Sequence, residues 1–205
     1  MTPEDKHNIL DKMSYSVKID SCSDADFVVE AIVENFEAKR STFTQLAHVA
    51  QPHTILASNT SSISITKIAG TIPHMADRVI GMHFMNPVPV MKLVEVIPGL
   101  QTSKQTLEKT LQLAAQMEKT TTQARDVPGF IANRILLPYI NEAVWALYEN
   151  IGTREDIDTT MKLGTNVPMG PLTLADFIGL DTCLSIMKVL HHDLGDSKYR
   201  PCPLL

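Results

Sequence analysis

The chain has 205 residues, of which 44% are hydrophobic and 20% are charged. That length holds one large domain or one and a half, and the composition supplies a core and excludes a disordered chain. A formal net charge of -5 argues against nucleic acid or an anionic membrane surface as the main partner. No apolar run approaches the ~20 residues of a membrane span, and the N-terminus lacks the features of a signal or transit peptide. We therefore expect an intracellular protein with no membrane or nucleic-acid partner.

Cysteine usage argues against two kinds of stabilisation. The three cysteines, at positions 22, 183 and 202, are far apart, and none belongs to a Cys-x-x-Cys pair. We expect neither a disulfide framework nor a structural zinc site, and we expect no other metal.

The first half of the chain alternates between strand-like and helix-like patterns. Residues 27–33 are rich in β-branched side chains and almost continuously apolar, as in a buried parallel strand. Further strands are predicted at 54–57, 78–84 and 92–97, with helices at 36–50 and 63–69 between them. Repeated strand–helix–strand units predict an α/β fold with a mostly parallel, doubly wound sheet.

The second half is predicted to be helical throughout. A helix that begins after a Thr102–Ser103 cap is predicted to end near residue 119 and to cover the sheet. Later helices are predicted at 130–148, from 153 onwards, and at 170–194.

The change from alternating strands and helices to helices alone predicts a domain boundary. Asp126–Gly129 breaks the chain, and the run from Phe130 to Tyr148 that follows is apolar on nearly every side. Such a helix belongs inside a larger helical body or in a subunit interface. We place a sheet-forming domain at 1–123 and an all-helical domain at 124–205.

Polar residues follow the first three predicted strands. Glu34 comes shortly after the first strand, residues 58–62 follow the second, and His83 ends the third. Ligands of doubly wound sheets bind beyond the carboxyl ends of the strands, so this edge is the predicted site.

His83 is the most informative of these residues. Glu95 follows it on the next predicted strand, and a reversal at Asn86–Pro89 would bring the two side by side. A carboxylate beside an imidazole fixes its tautomer and stabilises the imidazolium, which suits a general base near neutral pH. The alternative is a core histidine and a rim glutamate that lie close together without a chemical role.

Other polar groups allow a binding role or a purely structural one. The Ser58–Ser62 turn could donate hydrogen bonds to a ligand, or it could cap the next helix. Asn133 lies in an apolar helix and needs a partner, either a ligand or a loop carbonyl. His191–His192 near the last helix end is interpreted as a pair favoured by the helix dipole.

Five segments together resemble the NAD-dependent L-3-hydroxyacyl-CoA dehydrogenases, particularly the 3-hydroxybutyryl-CoA type. They cover essentially the whole chain in the same order, and the block from His83 to Val96 is highly specific. The matching segments are 28–35, 58–62, 83–96, 126–134 and 164–171. The resemblance implies a Rossmann-like NAD domain followed by a helical domain for substrate binding and dimerisation.

The resemblance also implies an activity, the NAD-dependent oxidation of (S)-3-hydroxyacyl-CoA to 3-oxoacyl-CoA in fatty-acid β-oxidation or butyrate metabolism. The implied catalytic residues are His83, Glu95, Ser61 and Asn133, and the implied cofactor-binding residues are Glu34, Lys39, Asn59, Ser61 and Asn86. An acyl-CoA substrate and a homodimer formed through the helical domain follow from the same resemblance. So does a bacterial cytoplasmic or a mitochondrial matrix location.

The chain departs from the family at its ends. Family members begin with a strand and a glycine-rich turn and finish with a further helical segment, so the resemblance predicts a partial Rossmann-like domain and truncation at both ends. No two of the nine glycines stand two positions apart, so Gly-x-Gly-x-x-Gly, which cradles a pyrophosphate, does not occur.

These departures leave alternatives open. One is a catalytically inactive subunit that keeps the helical interface and associates with full-length partners. Another is a related hydroxyacid dehydrogenase or a structural crystallin on the same fold. The segment 86–92 favours an acyl-CoA substrate over the latter two.

Overall fold

Five strands form one sheet in the computed structural model, which describes residues 2–205. The strands are β1 (Phe27–Glu30), β2 (Ile55–Ser58), β3 (Val79–Phe84), β4 (Leu93–Pro98) and β5 (Thr120–Gln123). They lie in that order, with β1–β2, β2–β3 and β4–β5 parallel and β3–β4 antiparallel. The prediction of a mostly parallel sheet is confirmed.

Eight α-helices surround and extend this sheet. They are α1 (Pro3–Leu10), α2 (Phe36–Val49), α3 (Ile65–Ala69), α4 (Lys104–Gln116), α5 (Ala132–Tyr148), α6 (Arg154–Gly164), α7 (Pro171–Ile178) and α8 (Leu180–Leu194). Capping side chains determine where several of these helices begin. Each capping side chain accepts a hydrogen bond from a backbone N–H group that has no partner within the helix. Asn35 caps α2, Ser103 caps α4 and Thr153 caps α6.

Helices cover both faces of the sheet, as predicted for a doubly wound fold. Successive residues of β3 face opposite sides, so Val79 packs in the cluster that contains Phe43 of α2, while Ile80 and Met82 pack in the cluster that contains Ala114 of α4. A third core joins α5, α7 and α8. The chain is therefore a Rossmann-like α/β layer followed by a helical part.

Two predictions about secondary structure were wrong. Thr120–Gln123 forms β5, parallel to β4, where the sequence analysis placed only a domain boundary. The helix predicted at 170–194 is two helices, because Gly179 has φ +101°, outside the helical region. Glycine tolerates that conformation, and a Cβ there would lie 2.9 Å from the Oδ1 of Asp181.

The sheet has two borders. β5 forms one, and β1 forms the other, where no strand pairs with its outer side within residues 2–205. The apolar side chains of Val29, Ile32 and Val33 near this border are exposed. No helix in the part of the chain that the structure describes combines the length and apolar character needed to cross a bilayer.

Candidate functional site

His83 and Glu95 form a buried pair between β3 and β4. The antiparallel register places them directly opposite each other, and Nδ1 of His83 lies 2.8 Å from Oε2 of Glu95. His83 is 6% exposed and Glu95 is 1% exposed. The predicted reversal at Asn86–Pro89 is confirmed, because the loop between these strands brings Glu95 back beside the imidazole.

The second oxygen of Glu95 binds the helical part of the chain. Oε1 accepts hydrogen bonds from the backbone N–H groups of Ile131 (3.0 Å) and Ala132 (2.9 Å) at the start of α5. Burial acts to raise the pKa of the Glu95 carboxyl, but the hydrogen bonds from His83 and these two amides hold that pKa below its ordinary value. One carboxylate therefore orients the imidazole and caps a helix.

A tight turn directs those two amides at Glu95. Gly129 and Phe130 both have positive φ, +78° and +47°, and the Phe130 ring lies 5.8 Å from the imidazole of His83, centroid to centroid. Phenylalanine rarely adopts this conformation. The link between Glu95 and α5 was not predicted, although the Pro128–Gly129 pair marks a turn at that point.

Glu34 holds the polar turn after β2. Its Oε1 accepts four hydrogen bonds, from the N–H of Ser61, the N–H and hydroxyl of Ser62, and the hydroxyl of Thr60, at 2.6 to 3.0 Å. Burial acts to raise the pKa of Glu34, but these hydrogen bonds and the charge of Lys39 hold it below its ordinary value. The structure thus places Glu34 and Ser61 together at the carboxyl ends of β1 and β2.

Lys39 is buried behind this turn and is paired with two carboxylates. Its ammonium lies 2.7 Å from Oε1 of Glu30 and 3.4 Å from Oε2 of Glu34, and both Lys39 and Glu30 have side chains that are 1% exposed. The other oxygen of Glu30 accepts a hydrogen bond from the Ser58 hydroxyl at 2.6 Å. Glu30 was not predicted as a site residue, although a carboxylate inside the apolar run 27–33 requires a partner.

Three asparagines occupy different parts of the site. Oδ1 of Asn59 accepts a hydrogen bond from the Phe84 N–H at 2.8 Å, which joins the end of β3 to the turn after β2. Asn133 donates from Nδ2 to the Ser61 carbonyl at 3.4 Å, which is the loop-carbonyl partner given above as one of two alternatives. Asn86 lies exposed in the loop that follows His83.

Hydrogen bonds and an ion pair link Lys39, Glu34, Ser61 and Asn133 at the carboxyl ends of β1 and β2, and Asn59 links this turn to the end of β3. The Ser61 backbone is held on both sides, its N–H by Glu34 and its carbonyl by Asn133, and these two contacts leave its hydroxyl unused. Hydroxyl and amide groups at the carboxyl ends of parallel strands form the polar edge at which doubly wound sheets bind their ligands. The residues 2–205 contain no group of three or more His, Cys, Asp or Glu side chains placed to hold a metal ion.

Comparisons with known proteins agree with this geometry. Residues 1–127 match the family model for the 3-hydroxyacyl-CoA dehydrogenase NAD binding domain, and residues 129–205 match the model for the C-terminal domain of the same family. NAD is therefore the cofactor of the family to which the chain is compared.

Individual relatives are similar over nearly the whole chain. A probable 3-hydroxybutyryl-CoA dehydrogenase of Bacillus subtilis is 57% identical over 204 residues, which are 100% of this chain and 71% of that protein. The human mitochondrial hydroxyacyl-coenzyme A dehydrogenase is 47% identical over 181 residues, which are 88% of this chain and 57% of that protein.

A solved structure shows the same fold. The crystal structure of (S)-3-hydroxybutyryl-CoA dehydrogenase from Ralstonia eutropha aligns with a TM-score of 0.94 and 48% identity, and the alignment covers 98% of this chain and 71% of that one. Two family models that together span the chain, relatives of this identity and a shared fold lead to one conclusion: the chain belongs to the 3-hydroxyacyl-CoA dehydrogenase family of NAD-dependent enzymes.

Proposed function

We propose that this chain oxidises (S)-3-hydroxyacyl-CoA to 3-oxoacyl-CoA with His83 as the general base. The observation that carries the proposal is the 2.8 Å contact between His83 Nδ1 and Glu95 Oε2 at the carboxyl edge of the sheet. Because a carboxylate accepts a hydrogen bond, the neutral imidazole carries its proton on Nδ1 and keeps a lone pair on Nε2. Nε2 is then available to take a proton from a substrate.

The substrate loses a proton from its C3 hydroxyl and a hydride from C3 in the same step. The C3 hydroxyl gives its proton to Nε2 of His83, the C3–H bond breaks with its electron pair, and a C3 carbonyl forms. The hydride acceptor that this step requires would be supplied by NAD. Glu95 stabilises the imidazolium, since its carboxylate is adjacent and is held in place by the α5 amides.

The neighbouring residues position the reactants. We assign the Ser61 hydroxyl to the substrate oxygen and the nicotinamide end, because Glu34 and Asn133 fix its backbone. Asn133 also helps hold the acyl-CoA. Glu34, Lys39, Asn59 and Asn86 line or support the cofactor side; of these, Lys39 acts through Glu34, since its ammonium is buried.

The test is the reduction of acetoacetyl-CoA by NADH, which is monitored through the absorbance of NADH. We expect turnover in the unmodified chain and a fall of about 10²–10⁴-fold in His83→Gln, the range typical of general acid–base catalysis. His48→Gln, an exposed histidine on α2, is the matched control and retains activity. Equal activity in His83→Gln and His48→Gln would remove His83 from the role of base.

An inactive subunit that pairs with full-length partners is the second candidate. It rests on the apolar helix α5, whose Ile135 side chain is 66% exposed and offers an interface to a partner. A chain that folds but neither binds NADH nor turns over would support this candidate, and turnover by the purified chain would contradict it.

We also propose that two copies of the chain associate through the helical domain, which we place at 124–205. Ile135 on α5 is 66% exposed and Phe177 on α7 is 70% exposed, and large exposed apolar side chains are typical of interfaces. Light scattering after size exclusion measures the mass, and a monomer at high concentration would contradict the proposal. Because its relatives include bacterial and mitochondrial enzymes, we assign the chain to the cytoplasm or the mitochondrial matrix.

A further inference from the structure

Lys119 holds the loop that joins the two strands of the His83–Glu95 pair. Residues 86–91 form this connection, the 86–91 loop. The Lys119 ammonium donates hydrogen bonds to the carbonyl of Val88 at 2.6 Å and to the carbonyl of Met91 at 2.8 Å. Two carbonyls of one loop therefore converge on a single positive charge, and hydrogen bonds from a charged donor are stronger than neutral ones.

The 86–91 loop has few other restraints. Five of its six residues are exposed and Val88 is half-buried. Its own backbone contributes two hydrogen bonds, from the N–H groups of Val90 and Met91 to the carbonyl of Pro87, both 3.0 Å. Among residues 2–205, Lys119 is the only residue whose side chain hydrogen-bonds to the loop. The position of the loop therefore depends on Lys119.

Lys119 is itself fixed by the fold. It stands between α4 and β5, where its N–H bonds to the Ala114 carbonyl and the N–H of Thr120 bonds to the Lys92 carbonyl. Glu118, just before it, has φ +57°, which turns the chain out of the helix. The anchor is rigid, whereas the loop that it holds is exposed.

We propose that Lys119 is a positioning residue that holds the 86–91 loop in the conformation that receives the acyl-CoA. This inference rests on the proposed function. The loop begins three residues after His83 and carries Asn86, and its Val90 side chain, 72% exposed, offers apolar surface to a ligand. Lys119 acts on the substrate through the loop and does not take part in the chemical step.

The experiment compares Lys119→Met and Lys119→Arg with a matched control, Lys104→Met. Lys104 is also on the α4 side of the sheet, but it is exposed and pairs only with Glu108, at 3.7 Å. Hydrogen exchange of the Val90 and Met91 amides is measured on the ligand-free chain, together with thermal unfolding. The dissociation constants of acetoacetyl-CoA and of NADH are measured separately.

In Lys119→Met we expect the two amides to exchange about tenfold faster, since even one lost hydrogen bond to a charged group is worth that factor or more. We expect acetoacetyl-CoA to bind about tenfold more weakly while NADH affinity stays within about twofold. Lys119→Arg keeps a charged donor and restores most of both effects, and Lys104→Met changes neither. A general loss of stability would weaken both ligands together.

Two results would overturn the proposal. Unchanged exchange at Val90 and Met91 in Lys119→Met would show that the lysine does not hold the loop. Faster exchange with unchanged affinity for acetoacetyl-CoA would show that the loop does not receive the substrate. If the unmodified chain binds no acetoacetyl-CoA, the proposed function fails together with the substrate part of this inference, and the exchange data alone then decide the anchoring role.

Discussion

Replacing Glu95 tests whether one carboxylate serves both the imidazole and the α5 helix. Glu95→Ala removes the acceptor of three hydrogen bonds, from His83, Ile131 and Ala132, in a site where Glu95 is 1% exposed. A buried donor left without a partner costs about 1–3 kcal/mol, so the three together cost about 3–9 kcal/mol before water enters the space. We expect a loss of about 4 kcal/mol, a large part of a typical 5–15 kcal/mol.

Glu95→Gln separates shape from charge. The amide oxygen of glutamine still accepts from the N–H groups of Ile131 and Ala132, while the charge beside His83 is lost. We expect a loss of about 1–2 kcal/mol, at most half of that for alanine. Urea denaturation of the three proteins near pH 7, analysed with a common slope, measures both losses.

The pH dependence gives a second check. The pKa of Glu95 is lower in the folded chain than its ordinary value of 4.5. Its contribution to stability is therefore complete above pH 4.5 and is lost as the pH falls through the folded pKa. The difference in unfolding free energy between the unmodified chain and Glu95→Gln should shrink on acidification below pH 4.5. Equal stability of the alanine and glutamine variants near pH 7, or a difference that does not change with pH, would refute the reasoning.

Three further tests concern side-chain packing and charge pairing, one in the helical part of the chain and two near the site. Gly170→Ala would place a Cβ against Cγ of Asp158, closer than van der Waals contact allows, so we expect a loss of about 1–3 kcal/mol in urea denaturation, whereas Gly164→Ala, whose Cβ would meet nothing within 4 Å, should not lose stability. Lys39→Met leaves the buried carboxylate of Glu30 unpaired and should cost about 3–5 kcal/mol, and a thermal midpoint equal to that of the unmodified chain would contradict this. Phe130→Ala removes a buried ring and should cost about 3–5 kcal/mol of unfolding free energy, measured by urea denaturation. Phe130→Leu should cost much less.

The sequence predicted the elements whose patterns are local. The β-branched run at 27–33 predicted β1 and the apolar stripe of α4 predicted a helix, and the turn residues at Asn86–Pro89 predicted the reversal that pairs His83 with Glu95. The short strand β5 was missed because Thr120–Gln123 is polar, and only its pairing with β4 makes it a strand. The break at Gly179 was missed because an isolated glycine is often tolerated in a helix.

The parts of the site that were not predicted depend on contacts between distant segments. Glu95 meets the amides of Ile131 and Ala132 across 36 and 37 residues of sequence, and Lys119 meets Val88 across 31. Backbone donors and acceptors carry no residue-specific signal, so a sequence shows neither contact. Glu30 and Lys39 are different, since two opposite charges nine residues apart on either side of a strand–helix turn could have suggested a buried pair.

The open border at β1 has a consequence for handling the protein. An extended chain that lay along Phe27–Glu30 would find main-chain donors and acceptors at the ordinary strand spacing of about 4.8 Å, whatever its own side chains were. In a concentrated sample of this 205-residue chain, the β1 border offers a route to self-association that added salt does not block, because the route involves no charged groups. Sedimentation velocity over a range of concentrations reveals whether the route is used, and a single species throughout would show that this border stays unoccupied.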